Sequence, residues 1–400
     1  MEMLRTRTLP LLLVLLCSTA ALAQNDRVHL TLDVSESEAV LAILDKQGGH
    51  QPITAADWQR LFATEPYLRL KKREAGMKRS FTDDDFRKFV LSPDLVTRRD
   101  ALRRTLASWK QADLNASAQR VLTYLPANAV IRAKVYPVIK PTNNSFVFET
   151  STDPAIFLYL DPKVSPASFE NTVAHELHHI GLGSTGDSVE EVTKGLPTRV
   201  QQAVEWMGAF GEGEAMLAAA GGPDLDPQAT SDTKRREAWQ KQMATFNPDL
   251  LALQKFFEDV IAGKFQSKEE VQDAAMKFFG AQGPWYTVGY RMAVMVEKRY
   301  GRPALIECML DPRKLLRRYN MAARAWNQEH PNEKLELWSQ ELLTKISAPP
   351  APDEPAPELP KSMALLVLCT ECVIPSEDAR VLRESMAPFH RERRQAAARN

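Results

Sequence analysis

The sequence predicts an α+β domain that is predominantly helical and carries a small antiparallel sheet. Apolar residues recur near every 3.6 positions over most of the chain, a spacing typical of amphipathic helices. Between residues 130 and 160, three short runs rich in Val, Ile and Phe indicate strands. A Pro-Thr-Asn turn precedes the second run, which favours antiparallel pairing. We expect this sheet to pack on the helix that follows it.

The composition is that of a globular protein, since 44% of the 400 residues are hydrophobic and 26% are charged. Lys and Arg together number 51, and so do Asp and Glu, so no excess of charge favours nucleic acid or an anionic membrane surface as a partner. Four cysteines are too few for a scaffold built on disulfides. These values exclude the wholly disordered and disulfide-rich classes.

Residues 1–23 are predicted to be a signal peptide. Arg5 and Arg7 form a basic start, residues 9–16 form an apolar run, and Ala21-Leu22-Ala23 supplies the small residues that signal peptidase reads. The mature chain would then begin near Gln24. We therefore expect an exported protein, either periplasmic or secreted.

A lipid anchor on Cys17 is the alternative interpretation of the same segment. Leu16 directly precedes this cysteine, where a small residue is expected, so the pattern favours the cleaved peptide. No later apolar run reaches the roughly 18 residues that a membrane-spanning helix needs. No transmembrane segment is expected in the mature chain.

Residues 24–127 are expected to form the helical first part of a domain at 24–347. A short strand is predicted at 29–32, where apolar and polar residues alternate. Three helical segments follow, each with apolar residues on one face. They are marked by Leu61, Leu68 and Leu70, by Phe86, Phe89 and Val90, and by Leu102, Leu106 and Trp109.

Residues 128–347 are expected to hold the sheet and the functional site. Ser165 and Pro166 begin a helix as its N-cap and first helical residue, and Gly181 or Gly183 ends it. Strands are predicted before this helix at 130–139, 145–149 and 155–160. Further helices are predicted after it at 192–220, 250–262, 267–279, 285–299 and 312–326, and Gly195 and Pro197 could delay the start of the first of these.

The end of the chain is predicted to lie outside the domain. Residues 348–362 form a Pro-rich linker, since six of the twelve residues at 349–360 are proline. The tail at 363–400 is too short for a core of its own and is expected to be disordered. Cys369 and Cys372 form a lone CxxC, whereas a zinc ribbon needs two such pairs, so we expect these thiols to pair locally or to be accessory.

One motif indicates a metal site with a neighbouring base, namely His175-Glu176-Leu177-His178-His179. His175 and His179 are four residues apart on the predicted helix, so both imidazoles lie on one face and can chelate one zinc ion. Glu176 lies beside them, where a carboxylate can take a proton from water bound to the metal. His178 has three possible roles, as an alternative ligand, a partner of a ligand or a surface residue.

A catalytic zinc usually has a third protein ligand. A third histidine in the metzincin arrangement would require Gly at 182 and His at 185, but Leu182 and Thr185 occupy those positions. A carboxylate from a later helix is the natural substitute. The candidates are Asp187, Glu190, Glu191, Glu205, Glu212 and Glu214.

Glu212 is the preferred third ligand, and Glu214 is the main alternative. Glycines flank Glu212 in Gly211-Glu212-Gly213-Glu214-Ala215. Small neighbours would let this helix approach the His helix closely, so that a short carboxylate side chain reaches the ion. The rival interpretation is a helix end with no role in metal binding.

HExxH followed by Glu-Gly-x-Ala in a later helix resembles the gluzincin peptidases, the group of thermolysin and certain aminopeptidases. The wider set of motifs, which includes residues 284–290, Pro-Trp-Tyr-Thr-Val-Gly-Tyr, resembles a sparsely studied bacterial family of zinc-dependent peptidases. The resemblance spans roughly residues 130–320 and implies a gluzincin-like fold. The separation between His179 and Glu212 is longer than in thermolysin-like enzymes.

The resemblance implies that Glu176 acts as general base and then as general acid, while Zn²⁺ polarises the scissile carbonyl. A further donor would stabilise the oxyanion. Tyr286 and Tyr290 share a helical face, and Tyr286 is preferred because it lies near the start of its helix. Gluzincins also bind extended substrates along a sheet edge, and residues 155–160 are the candidate strand.

The sequence therefore predicts an exported, monomeric zinc metallopeptidase that acts on a peptide or protein substrate and binds one Zn²⁺ per chain. A zinc hydrolase acting on a non-peptide amide or ester is one alternative, because the same chemistry attacks either carbonyl. A non-catalytic periplasmic binding protein is another, and the presence of Glu176 argues against it.

Overall fold

The computed structural model describes residues 26–186, 189–280 and 282–347. The predicted signal peptide, linker and tail, with Cys17, Cys369 and Cys372, lie outside the described residues. So does the candidate ligand Asp187, and so does the side chain of Glu190. In the described part of the chain, no helix has the length and apolar character needed to cross a membrane.

The sheet has four strands in the order β1-β2-β4-β3. These strands are β1 (Val28–Leu32), β2 (Ile131–Val138), β3 (Phe146–Phe148) and β4 (Ala155–Tyr159). β1 pairs with β2 in parallel, β2 pairs with β4 in parallel, and β3 pairs with β4 antiparallel. The predominantly helical α+β class is confirmed, and the sheet is mixed.

The expected antiparallel pairing is wrong for two of the three strand pairs. β1 and β2 are separated in the chain by helices, and such a crossover brings the second strand back in the same direction. β3 runs back from the end of β2 but lies one strand away from it, so that β4 fits between them, parallel to β2. The Pro-Thr-Asn turn therefore reverses the chain without forming a hairpin.

Six helices cover the first part of the chain between β1 and β2. They are α1 (Ser35–Gly48), α2 (Ala55–Phe62), α3 (Glu65–Gly76), α4 (Asp83–Val90), α5 (Pro93–Trp109) and α6 (Leu114–Leu122). Side chains cap several of them, as at α5, where the Ser92 hydroxyl accepts a hydrogen bond from the Leu95 amide at 3.3 Å. The predicted helices around Phe86 and Leu102 are confirmed, whereas the single segment predicted for Leu61, Leu68 and Leu70 consists of two helices, α2 and α3, and Leu68 is exposed.

The two faces of the sheet belong to different apolar clusters. Ile131 and Val135 of β2 point into the first core, which also holds buried residues of the N-terminal helices and of the HExxH helix. Tyr136 and Val138 point to the opposite face, where they pack with Leu70 of α3. This alternation follows from the two-residue period of a strand.

The HExxH motif lies on α7 (Pro166–Gly183), as predicted. The Ser165 hydroxyl accepts a hydrogen bond from the Ser168 amide at 3.1 Å, and Pro166 occupies the first turn. Phe169 and Leu177 bury one face of α7 in the first core. At Gly181 a Cβ would lie 3.1 Å from Ile131 and closer still to Leu125, so glycine permits the close packing of α7 against the sheet.

The second core is helical and surrounds α14, whose residues Trp285, Val288 and Met292 are fully buried. Its helices are α8 (Val189–Thr193), α9 (Thr198–Met207), α10 (Gly211–Ala220), α11 (Thr233–Ala244), α12 (Phe246–Ile261), α13 (Lys268–Met276), α14 (Pro284–Tyr300), α15 (Arg302–Leu310), α16 (Pro312–Glu329) and α17 (Gln340–Lys345).

The predicted single helix at 192–220 is wrong, because this region contains several elements. Gly195 has φ +85°, a conformation that ends a helix, and a 3₁₀ turn at Gly208–Phe210 separates α9 from α10. Helices α11, α15 and α17 were not predicted from the sequence. For α11 the usable signal was Asp232, whose side chain accepts a hydrogen bond from the Arg235 amide at 2.9 Å.

Candidate metal centre

His175 and His179 point to the same place from successive turns of α7. Their Nε2 atoms lie 3.1 Å apart, and the ring centroids are 4.8 Å apart at an interplanar angle of 76°. Both side chains are buried, with 3% of His175 and 8% of His179 exposed. The predicted pair of imidazoles is thus formed on the face of α7 that does not enter the first core.

Glu212 of α10 completes a group of three potential ligand atoms. Its Oε2 lies 3.1 Å from His175 Nε2 and 3.5 Å from His179 Nε2, and its side chain is fully buried. Among the described residues, these three side chains form the group that could hold a metal ion. Glu191, Glu205 and Glu214 do not belong to that group.

The Glu212 carboxylate is held in its charged form. Burial by itself would raise the pKa of Glu212, but the charge of His179 and hydrogen bonds to His175 and His179 outweigh it and lower the pKa well below the usual range. A buried anion between two imidazoles is the donor set that a divalent cation such as zinc prefers.

The separations of the three atoms suit zinc. Tetrahedral ligands at the usual bond lengths of about 2.0–2.1 Å lie roughly 3.3 Å from one another. The observed separations are 3.1, 3.1 and 3.5 Å. The donor atoms therefore already stand at the corners of a site that fits the ion.

Glu176 follows His175 directly on α7 and is buried, with 4% of its surface exposed. Glu176 lies between His175 and His179 along the same stretch of α7. This is the location that the HExxH pattern predicts for a base.

Glu214 is buried away from the two histidines. Burial raises the pKa of its carboxyl to about 8, and its charge acts on the thiol of Cys308 in α15. The structure therefore brings Glu212, the preferred candidate of the sequence analysis, to the histidines, and it does not bring Glu214 there.

Gly213, which follows Glu212, permits a close contact between helices, but the partner helix is not the one that the sequence predicted. A Cβ at Gly213 would lie 2.6 Å from the carbonyl oxygen of Tyr286 and closer still to the backbone of Gly289 and Tyr290. A Cβ at Gly289 would lie 2.5 Å from the carbonyl oxygen of Phe210. These glycines therefore let α10 approach α14, not the His helix.

A cleft of about 450 Å³ opens beside the donor group. Tyr286 borders this first cleft with His175, and its ring is nearly parallel to the His175 ring at a centroid distance of 6.4 Å. The lining residues come from α7, α10, the segment before α11, α11 itself and the start of α14. They are Ser168, Asn171, Thr172, His175, Met216, Gln228, Ser231, Arg235, Gln282 and Tyr286.

Tyr290, the alternative phenol, is engaged elsewhere. Its hydroxyl donates to the carbonyl oxygen of Leu225 at 3.2 Å, and its ring packs edge-on against Trp239. Burial raises the pKa of Tyr290 to about 12, so its phenol stays protonated. Of the two tyrosines, Tyr286 is the one that lines the first cleft.

The proposed substrate strand at 155–160 is not an edge strand. β4 lies inside the sheet and pairs with β2 on one side and β3 on the other. Since β3 spans three residues, it leaves the end of β4 uncovered on that side, and there the Ser145 hydroxyl accepts a hydrogen bond from the Tyr159 amide at 3.1 Å. The prediction of an open edge along all of 155–160 is wrong.

A second, smaller cleft of about 290 Å³ lies beside the end of β4. Leu158, Tyr159 and Ser145 line it, and it shares Ser168, Thr172 and Arg235 with the first cleft. The two clefts therefore adjoin each other at these three side chains.

His178 lies outside the group of three donor atoms and is not a surface residue. Its side chain is fully buried, and neither ring nitrogen has a hydrogen-bond partner in the described part of the chain. Burial lowers its pKa, so the ring remains neutral. Its ring packs edge-on against His179 at a centroid distance of 5.9 Å, which supports the position of that side chain.

Several residues of the first cleft were not predicted from the sequence, among them Asn171, Gln228, Arg235 and Gln282. Asn171 is recoverable in principle, since it lies one helical turn before His175 on the same face. The other three lie 49, 56 and 103 residues after His179, and no spacing rule connects them to the motif.

The fold and the site together define a class of protein in which one helix of an α+β domain carries a HExxH motif and a second helix adds a buried glutamate. Within that class, the chain belongs to the family described as "Putative zinc dependent peptidase (DUF5700)", whose pattern matches residues 58–328. This match covers every residue assigned here to the candidate centre. No curated protein and no solved structure matches the chain significantly.

Proposed function

We propose that this protein is a zinc metallopeptidase in which His175, His179 and Glu212 hold one Zn²⁺ ion. The observation that carries the proposal is the spacing of three buried donor atoms at 3.1–3.5 Å beside an open cleft. A structural zinc site is usually closed by four protein ligands, whereas a catalytic site keeps one position open. Membership of the zinc-dependent peptidase family supports a peptide or protein as substrate.

The bound zinc would supply Lewis-acid polarisation of the substrate carbonyl and lower the pKa of a water molecule. Glu176 then accepts the proton of the attacking water and returns it to the leaving amine. Burial of Glu176 favours the uptake of that proton, because the protonated form of a buried carboxyl is the less costly one.

We assign the donor for the oxyanion to Tyr286, because its phenol borders the first cleft next to His175. Replacing Tyr286 with phenylalanine should lower kcat by about 100-fold, as the loss of one such donor does in other hydrolases. Steady-state kinetics on a cleaved peptide measures this change.

Tyr290→Phe is the matched control, because it removes a phenol of the same helix that hydrogen-bonds to Leu225 outside the cleft. It should leave kcat close to that of the parent. Equal losses in the two variants would contradict the assignment of Tyr286.

The direct test of the proposed function combines metal analysis with peptide profiling. Elemental analysis of the purified chain should find about one zinc ion per chain. A chelator should abolish cleavage of a mixed peptide library, and added zinc should restore it. Zinc should also raise Tm, because a ligand that binds only the folded state stabilises that state.

A folded, zinc-loaded chain that cleaves no library peptide would contradict the proposed function. Turnover of acyl amides or esters by that chain would point to a hydrolase with another substrate. A folded chain that binds no zinc would remove the catalytic centre altogether.

We further infer, from the pattern of residues 1–23, that the chain is exported after cleavage near Gln24. A monomeric state is a separate proposal. The predicted linker at 348–362 and the tail at 363–400 have no assigned part in catalysis.

A further inference from the structure

Arg235 is a half-buried cation that borders both clefts. It lies on the first turn of α11, across from Ser168 and Thr172 of α7, which also line both clefts. His175 and Tyr286 line the first of them. A substrate bound in either cleft would therefore lie close to this guanidinium.

Polar and apolar side chains both line the two clefts that Arg235 borders, and none of the described lining residues carries a negative charge. Of the described residues that line either cleft, none is Asp or Glu, and most of the polar ones are neutral amides or hydroxyls such as Asn171, Gln228 and Ser231. A guanidinium offers a planar fork of donors that matches a carboxylate in two parallel hydrogen bonds. The two clefts therefore suit an anionic group better than a cationic one.

Gln282 adds an independent sign of a peptide-like ligand. Its side-chain oxygen Oε1 is buried at the first cleft and has no hydrogen-bond partner in the described part of the chain. A buried acceptor without a donor costs free energy, and a ligand that brings an N–H group recovers it. A peptide supplies such an N–H group together with a carboxylate, whereas an inorganic anion supplies no N–H donor.

We propose that Arg235 binds a carboxylate of the substrate, so that the site selects peptides that carry a negative charge close to the bond that is cleaved. This inference rests on the proposed peptidase function and names the class of its substrate. The carboxylate belongs either to the C-terminus of a peptide or to an Asp or Glu side chain. Both sources present the same planar group to the guanidinium.

The test measures binding without turnover, on the full chain with Glu176→Gln and loaded with zinc. The probes are four pools of acetylated random hexapeptides. The first two pools both end in an amide. Each peptide of the first pool contains one Asp or Glu, and each peptide of the second contains one Asn or Gln at that position. The last two contain no acidic side chain and end in either a free carboxylate or an amide. Retention of each pool is quantified by mass spectrometry.

We expect one carboxylate pool to be retained about 10-fold more than its amide counterpart, the ratio that a difference of about 1.4 kcal/mol gives. The pair of pools that shows the ratio identifies the source of the carboxylate. Arg235→Met should abolish the ratio, and Arg235→Lys should keep part of it, since the charge remains but the fork is lost. Lys234→Met is the matched control, because Lys234 is exposed and lines neither cleft.

Equal retention of acidic and neutral pools would overturn the proposal, and so would an unchanged ratio in a folded Arg235→Met chain. The same pools are then offered to the chain with Glu176 intact. Charge-selective retention without cleavage supports Arg235 as the carboxylate site and counts against the peptidase function. Cleavage without any preference for charge supports the peptidase function and overturns the role of Arg235.

Discussion

Replacing Glu176 with glutamine should lower kcat for peptide cleavage by about 1,000-fold, within the range that a general base contributes. The amide has nearly the shape of the carboxylate but cannot accept a proton from water. Zinc content should stay at the level of the parent chain, because Glu176 is not among the three donor side chains. Single-turnover kinetics and elemental analysis on one preparation measure both quantities.

Glu170→Gln is the control for this substitution on the same helix. Glu170 accepts a hydrogen bond from the Asp113 amide at 3.0 Å, and a glutamine oxygen can accept that bond as well. Its activity should match that of the parent. Turnover that survives in Glu176→Gln would remove the proposed mechanism, whereas a loss of zinc in that variant would assign Glu176 a role in binding the metal.

Replacing Glu212 with glutamine should weaken zinc binding by more than about 100-fold. Replacing a residue that only hydrogen-bonds to a metal ligand already weakens metal binding by up to about 100-fold. Glu212 itself contributes a donor atom, so its loss should weaken binding further. The glutamine keeps the size of the side chain, so the fully buried site is not left with a cavity. Competition with a chromophoric chelator measures the affinity, and activity should fall in parallel.

Glu214→Gln is the matched control, since Glu214 is a buried glutamate two residues further along α10 and lies outside the donor group. Its zinc affinity should remain near that of the parent. Should Glu214→Gln lose zinc while Glu212→Gln retains it, the ligand role would pass to Glu214. The short distances from Glu212 to both histidines would then need another explanation.

Local rules predicted the elements that carry the motif. Ser165 and Pro166 mark the start of α7 by capping and by fixed backbone geometry, both of which act within one helical turn. The pairing of His175 with His179 follows from helical spacing in the same way. The choice of Glu212 could not rest on helical spacing, because this residue lies 33 residues after His179. It rested instead on the small residues that flank Glu212.

Features that depend on contacts between distant segments were not predictable in this way. The direction of β2 relative to β1 depends on how the helices between them return the chain, and β4 is internal because β3 lies one strand away from β2. Gly213 looked like a partner of the His helix, but it packs on Gly289, 76 residues later. Arg235 and Gln282 reach the cleft through the same long-range packing.

The proposed ligands come from opposite halves of the molecule, since α7 is anchored in the first core through Phe169 and Leu177, and α10 is anchored in the second through Leu217. An ion held by both helices would cross-link the two halves. A truncated chain that stops short of Glu212 would present two imidazoles without the carboxylate, so tight retention of the ion would require both halves to be made and docked. Metal occupancy would then report on assembly of the whole domain as well as on readiness for catalysis.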